Sequence, residues 1–273
     1  IKKITLCNSG VFLTKYEIIF SFIDKINASN KKKEKYLPDI FEICYRDKKS
    51  FVYSLCNEDE VIGINTLKDF IKVDEIYQEQ LKQKLINKGV KILNPKTVRV
   101  SYDTKIGKDS VIEPYVILGK GVNIKEDVII RSHTNIESAH ISKGSSIGPY
   151  ARIRPETFIN QFVKIGNYVE IKNSKIGKNC SISHLSYIGD SKLGKNINIG
   201  AGTITCNYDG KKKYKTVIDD NVFIGSNSSL IAPLKISKNS QIGAGSVISK
   251  NIPKDSLALE RSKMTILKKN KRK

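Results

Sequence analysis

The chain has 273 residues, room for one large domain or two modest ones, and 39% of them are hydrophobic, enough for a real core. Its formal net charge of +21 is carried mostly by lysines spread along the whole length, which reads as compositional bias and a solvated surface, not as a nucleic-acid-binding stripe. No apolar run is long enough to span a membrane, and no charged-then-apolar leader with a small-residue cleavage site is visible.

Five cysteines (Cys7, Cys44, Cys56, Cys180, Cys206) are odd in number and lack CxxC spacing, so they are expected to be free thiols of a cytoplasmic protein. The first residue is Ile, and the chain is expected to begin inside a longer reading frame.

In chain order, residues 1–72 mix strand-like pieces ("ITLCNSGVFL", "SFVYSL") with helical ones ("KYEIIFSFIDKI", "DIFEICYR"), an α/β pattern. "VDEIYQEQLKQKLINKG", Val73 to Gly89, predicts a helix ended by Gly and followed by Pro95, a linker over 73–96. A repeat then sets in. Aliphatic residues return every six positions at Ile106, Ile112, Leu118, Ile124, Ile130 and Ile136. The frame slips by one at Ile141 and again at Ile176 and Leu193, is interrupted after Ile199, and resumes from Ile218 to Ile248. Gly often follows, as in "IGKDSV" and "IGNYVE".

This period fits neither a helix nor a simple amphipathic strand, but suits a parallel β-helix whose short strands point one aliphatic side chain each into a stacked core. A β-helix domain is therefore expected over 97–253, with a basic tail, 254–273, ending in a disordered "KKNKRK". The repeat resembles that of the hexapeptide acyltransferases, which implies a left-handed β-helix with three hexapeptides per triangular coil.

If three hexapeptides close a coil, equivalent residues stack roughly 4.8 Å apart. Arg154 and Lys172 each follow a repeat isoleucine and stack as two cations. His184, Ala201, Ser226 and Ala244 each lie two residues after a repeat position and form a second column. The interruption, carrying "CNYDGKKKYK", is expected to loop out beside this column, making a groove with His184 at one end next to the cations. An isolated turn histidine is most simply a cap. His184 has Tyr187, the cation pair and the loop for company, whereas His133 and His140 do not and read as surface residues.

Longer pieces carry a more specific likeness: "RIRP" (152–155), "GNYVEIK" (166–172), "HLSYIGD" (184–190), "NINIGAGTITCNYDG" (196–210), "FIGSNSSLIAP" (223–233) and "IGAGSVI" (242–248). They resemble the acetyltransferase half of the bacterial bifunctional N-acetylglucosamine-1-phosphate uridyltransferase / glucosamine-1-phosphate acetyltransferase family. The resemblance implies acetyl transfer from acetyl-CoA to glucosamine 1-phosphate, on the way to UDP-N-acetylglucosamine, peptidoglycan and lipopolysaccharide, in a homotrimer. It makes His184 the general base with Glu170 as its orienting partner, and Arg154, Lys172, Tyr187 and Asn198 the acceptor site. Ala201, Asn207, Tyr208, Ser226, Ala244 and Arg261 would line the acetyl-CoA site, with Lys213 in the same loop. The chemistry agrees: a glucosamine ammonium must lose a proton before its nitrogen attacks a thioester, a task suited to an imidazole of pKa ~6.5. A phosphate dianion calls for stacked cations.

"NSGVFL" (8–13), "YLPDIFEICY" (36–45) and "EVIGINT" (60–66) resemble the end of the same family's uridyltransferase domain. By that likeness Asn8 contacts a UDP-sugar and Asn65 ligates Mg²⁺. The family's glycine-rich nucleotide loop and metal-sharing aspartate are absent from residues 1–72, so this chain alone is not expected to transfer uridylyl groups. Two other readings stay open: a hexapeptide acyltransferase for another amino or nucleotide sugar, and a non-catalytic trimeric remnant. A β-helix carbonic anhydrase is disfavoured, since three histidines placed for one zinc are not evident.

Overall fold

The computed structural model describes residues 6–26 and 34–267, so the terminal "KKNKRK" lies outside the described residues. The chain divides into two compact units, Ile1–Tyr77 and Gln78–Lys273.

In the first unit, α1 (Tyr16–Ile23) and α2 (Ile40–Arg46) meet through a small cluster of Phe22, Ile26 and Ile40. The strands expected in "ITLCNSGVFL" and "SFVYSL" are not formed among the described residues. A strand needs a neighbour to take up its N–H and C=O groups. No described segment of this unit pairs with these pieces, and Leu13, Val52 and Tyr53 stand in solvent.

The predicted linker helix is α3 (Leu67–Ile86), which begins six residues before the expected Val73. The reason is a cap of capping-box type in "TLKD". The Asp69 N–H donates to Thr66 Oγ1 at 3.2 Å while the Thr66 N–H donates to Asp69 Oδ2 at 2.9 Å. Past its last turn the chain closes a Schellman motif. Gly89 takes φ +87°, its N–H donates to Ile86 O at 2.9 Å, and the Val90 N–H reaches Leu85 O at 3.2 Å.

The last turns of α3 belong to the second unit, where they cover the first coil of the β-helix. Leu81, Leu85 and Ile86 pack on its core, and Gln78 bonds both the N–H and the C=O of Val100 at 3.0 Å each. Lys82 is buried, and its Nζ donates to Pro95 O at 2.8 Å. Such a cap removes an open sheet edge, which a stacked-repeat fold must cover at its ends.

From Lys91 to Ala258 the chain winds into a left-handed parallel β-helix of hexapeptide repeats. Its described strands form three parallel sheets, called here faces A (ten strands, Lys91–Ile92 to Leu257–Ala258), B (nine, Arg99–Val100 to Val247–Ile248) and C (eight, Lys105–Ile106 to Leu234–Ile236). Every repeat aliphatic from Ile106 to Ile248 points inward and is buried. They stack in register, as in Ile147↔Ile165, Ile165↔Ile182, Ile182↔Ile199 and Ile199↔Ile224. Each such burial contributes about 1.5–3 kcal/mol before chain entropy is counted. The β-helix reaches beyond the expected 97–253 at both ends. The coil Ile92–Val100–Ile106 breaks the six-residue period, and Leu257–Ala258 adds a strand inside the predicted tail.

The three corners differ. At the corner from C to A, Asn179, Asn196, Asn221 and Asn239 share positive φ and pass side-chain amide hydrogen bonds up the stack at 3.0–3.2 Å. At the corner from A to B, Tyr115, His133, Tyr150 and Tyr168 stack ring on ring, with centroids 4.7–5.2 Å apart. All three frame slips and the long interruption fall at the remaining corner, from B to C.

Candidate active site

His184 ends the face-A strand Ser181–His184, at the A–B corner. Its register partner one coil below is Asn167, and His184 Nδ1 lies 2.6 Å from Asn167 Oδ1. With that oxygen as acceptor, Nδ1 carries the proton and Nε2 keeps the lone pair, the form needed in a base. The imidazole is exposed at the edge of an open groove of about 660 Å³, lined also by Arg131, Tyr150, Lys164 and Tyr168.

The two strands can approach because of Gly166, whose hypothetical Cβ would sit 1.9 Å from Ser183 O. The expected column continues upward from His184. Successive turns are tied by Gly202 N–H to His184 O (3.3 Å), Asn227 N–H to Ala201 O (2.7 Å) and Gly245 N–H to Ser226 O (2.8 Å). Ala201, Ser226 and Ala244 therefore share this corner. Arg261 lies over its top, with Nη2 3.3 Å from where a Cβ on Gly243 would be.

Face B carries the cations. Ile153↔Ile171 register stacks Arg154 below Lys172, as expected, but at the far edge of face B, not next to His184. Between the two edges stand Glu170 and Tyr187, register partners pointing outward. Glu170 does not orient His184. Arg154 Nη1 donates to Glu170 Oε1 at 2.7 Å, with Arg152 Nη1 4.0 Å from Oε2. Face-B register sets Glu170 against the arginine strand, whereas His184 belongs to face A and meets Asn167.

The interruption also differs from expectation. It leaves face B after Ile204–Cys206 and rejoins at Thr216–Ile218 on face C, so it rises from the B–C corner above Lys172 and not beside the His184 column. The reason is the frame. The loop replaces a B-to-C turn, and linear spacing does not say which of three turns that is.

The loop is a small hairpin. Tyr208 bridges Lys213, the Tyr214 N–H donates to Asn207 O at 2.8 Å, and Asp209 Oδ1 accepts from the N–H groups of Lys211 (2.8 Å) and Lys212 (2.6 Å). Tyr208 Oη donates to Gly210 O at 2.6 Å. Lys213 comes beside Lys172, and that ammonium holds the Lys172 amine below its ordinary range.

One chain thus gathers the expected residues into two groups. Ala201, Ser226, Ala244 and Arg261 join His184 at the A–B corner, while Asn207, Tyr208 and Lys213 join Arg154 and Lys172 near the B–C corner, with Tyr187 between. Asn198 is exposed on face A, opposite Ser181 and Phe223. Asn167 and Asp190 escaped the sequence reading. A coil spacing of 17 residues links Asn167 to His184, but only once the slip at Ile176 is counted.

In the first unit, Asn8 Oδ1 accepts from the Gly10 N–H at 2.9 Å, and Asn65 precedes α3, its N–H 3.2 Å from Asp69 Oδ2. Among the described residues no group of three His, Cys, Asp or Glu side chains is placed to hold a metal. A lone neutral amide, Asn65, does not make the carboxylate-anchored site that Mg²⁺ requires, so the described residues do not fit that ion. All five cysteines are free, and no described helix is long and apolar enough to cross a membrane.

The fold and its corners define a hexapeptide-repeat β-helix protein, and residues 103–138 and 215–250 match the family model described as "Bacterial transferase hexapeptide (six repeats)". The chain is a homologue of the proteins called "Bifunctional protein GlmU". It is 43% identical to that of Bartonella bacilliformis over 97% of this chain and 59% of the relative. With that of Thermodesulfovibrio yellowstonii it shares 44% over 93% of this chain and 60% of the relative. The chain therefore spans about three-fifths of the length of these curated relatives. Among solved structures, the UDP-N-acetylglucosamine O-acyltransferase (LpxA) of Moraxella catarrhalis RH4 superposes with a TM-score of 0.47 at 17% identity, over 63% of this chain and 69% of that one.

Proposed function

We propose that this chain transfers the acetyl group of acetyl-CoA to the amine of glucosamine 1-phosphate, giving N-acetylglucosamine 1-phosphate for UDP-N-acetylglucosamine synthesis. The observation that carries the reading is the Asn167-held imidazole of His184, placed where a groove meets a column of small residues. The GlmU homology points the same way.

In this reading the acyl-CoA arm lies along Ala201, Ser226 and Ala244, where no side chain larger than serine stands in its way, and Arg261 meets its phosphates. The sugar phosphate is held by Arg154 and Lys172 with Lys213, and its ring by Tyr187 and Asn198. Nε2 of His184 removes the proton from the attacking amine as the C–N bond forms at the thioester carbonyl carbon. The C–S bond then breaks and the CoA thiolate takes a proton from the imidazolium. No step is routed through a metal.

The active form in this reading is a homotrimer. The two residue groups sit on different corners of one chain, and a cyclic interface sets one patch against a different patch of the next copy, so neighbours can complete the acetyl-CoA site with Asn207 and Tyr208. Exposed Tyr115, Tyr150, Tyr168 and Leu185 along the A–B corner, with Ile117, Ile204 and Phe223 on the adjoining faces, supply apolar surface for that contact. Uridylyl transfer is not assigned to this chain. Measuring thiol release from acetyl-CoA with glucosamine 1-phosphate against other amino sugars tests the proposal. A higher kcat/KM for another acceptor would replace the substrate, and no thiol release with any would remove the enzyme reading.

A further inference from the structure

At the B–C corner one residue ties both ends of the inserted loop to the coil. Asp190 is 8% exposed and takes φ +48°, a left-handed conformation that Asp tolerates better than most residues. Its Oδ1 accepts from Asn173 Nδ2 at 2.5 Å, on the coil below, and its Oδ2 accepts from Nδ2 of Asn207, the first residue of the loop. Its backbone N–H donates to Lys172 O at 3.1 Å, and its backbone C=O accepts from Thr216, the first residue after the loop, at 3.3 Å. Both legs of the hairpin are thus fastened to Asp190, and Asp190 to the coil that carries Lys172. A buried carboxylate is costly unless its lone pairs are used, and here two amide donors use them. Nothing in the winding of the coil demands an acid at this corner, since Ser138 and Asn173 occupy equivalent turns below with the same positive φ.

We propose that Asp190 is a positioning residue that locks the loop 207–215 in register over the coil, so that Lys213 faces Lys172 across the anion they share. This rests on the acceptor site named above. Without the carboxylate, the Asn207 leg loses a charge-assisted bond and the hairpin swings on its outer turn, taking Lys213 away from Lys172 while the isoleucine stack beneath stays intact.

The loop carries its own reporter, because Lys211, Lys212, Lys213 and Lys215 are trypsin sites. In limited proteolysis of the whole chain followed by mass spectrometry, Asp190→Ala is expected to speed cleavage inside 211–215 about tenfold, with the melting temperature of the β-helix nearly unchanged. In steady-state assays the same variant is expected to raise the KM for glucosamine 1-phosphate about tenfold and to change kcat less. If Asp190→Ala does not fold, Asp190→Asn, equal in size but uncharged, is expected to give a smaller rise in both. Wild-type cleavage rates in the loop would overturn the proposal. Faster cleavage in a protein that acetylates some other acceptor would keep Asp190 as the loop anchor and discard the sugar-phosphate reading.

Discussion

His184 Nδ1 and Asn167 Oδ1 meet at 2.6 Å across two neighbouring coils of face A. This contact fixes the ring and leaves Nε2 directed away from the coil that holds it. His184→Ala is expected to lower kcat by roughly 10²–10⁴-fold while the acetyl-CoA Kd stays nearly unchanged. Near-wild-type turnover in that variant would end the assignment. Asn167→Ala removes the acceptor on Nδ1 and is expected to lower kcat while the acetyl-CoA Kd stays nearly unchanged. An unchanged kcat would show that this contact does not hold the proposed base in place.

Removing the Lys172 charge with Lys172→Met should mainly raise the KM for the sugar phosphate, and unphosphorylated glucosamine should be affected less. Equal loss on both acceptors would mark a structural role.

The pH dependence of this site has a definite sign. In the proposed site the neighbouring Lys213, through its side-chain hydrogen bond and then its charge, lowers the Lys172 pKa, so phosphate affinity is expected to fall at a lower pH than for an isolated lysine. Lys213→Met relieves the repulsion and is expected to shift the alkaline fall of kcat/KM upward in pH, although its maximum drops. A downward shift would contradict the pairing.

Gly166 lets the strands carrying Asn167 and His184 pass at contact distance, with Ser183 O 1.9 Å from a built Cβ. Gly166→Ala must push rigid backbone apart and is expected to cost about 1–3 kcal/mol, read as a lower Tm, together with a loss in kcat. An unchanged Tm would show that the coil accommodates a methyl group there.

Because no described cluster of ligands suits a divalent cation, acetyl transfer is expected to survive EDTA. Pyrophosphate release from UTP and N-acetylglucosamine 1-phosphate is not expected from this chain alone. Loss of acetyl transfer on chelation, or pyrophosphate appearing, would each refute the corresponding half.

The β-helix was legible in the sequence because burial in a solenoid is periodic. Each coil must deliver an aliphatic side chain to the same three inner faces, so the spacing from Ile106 to Ile248 states the fold almost directly. The stacks Arg154–Lys172 and His184–Ala201–Ser226–Ala244 followed from that spacing, since stacking is set by the register of inward isoleucines. Which corner each stack occupies was not legible. Slips of one residue and a long insertion leave the inner column intact, and only closure of the triangle shows that all of them share the B–C corner, far from His184. Glu170 and Asn167 make the same point. Both lie about one coil before His184 in sequence, but strand pairing gives Glu170 to Arg154 and Asn167 to the imidazole. In the first unit the apolar runs carried β propensity, yet propensity without a partner strand leaves backbone groups unpaired, so "SFVYSL" forms no strand and stays exposed. Local chemistry and period belong to the sequence. Which side chains face one another is decided by hydrogen-bonded register, a property of several coils at once.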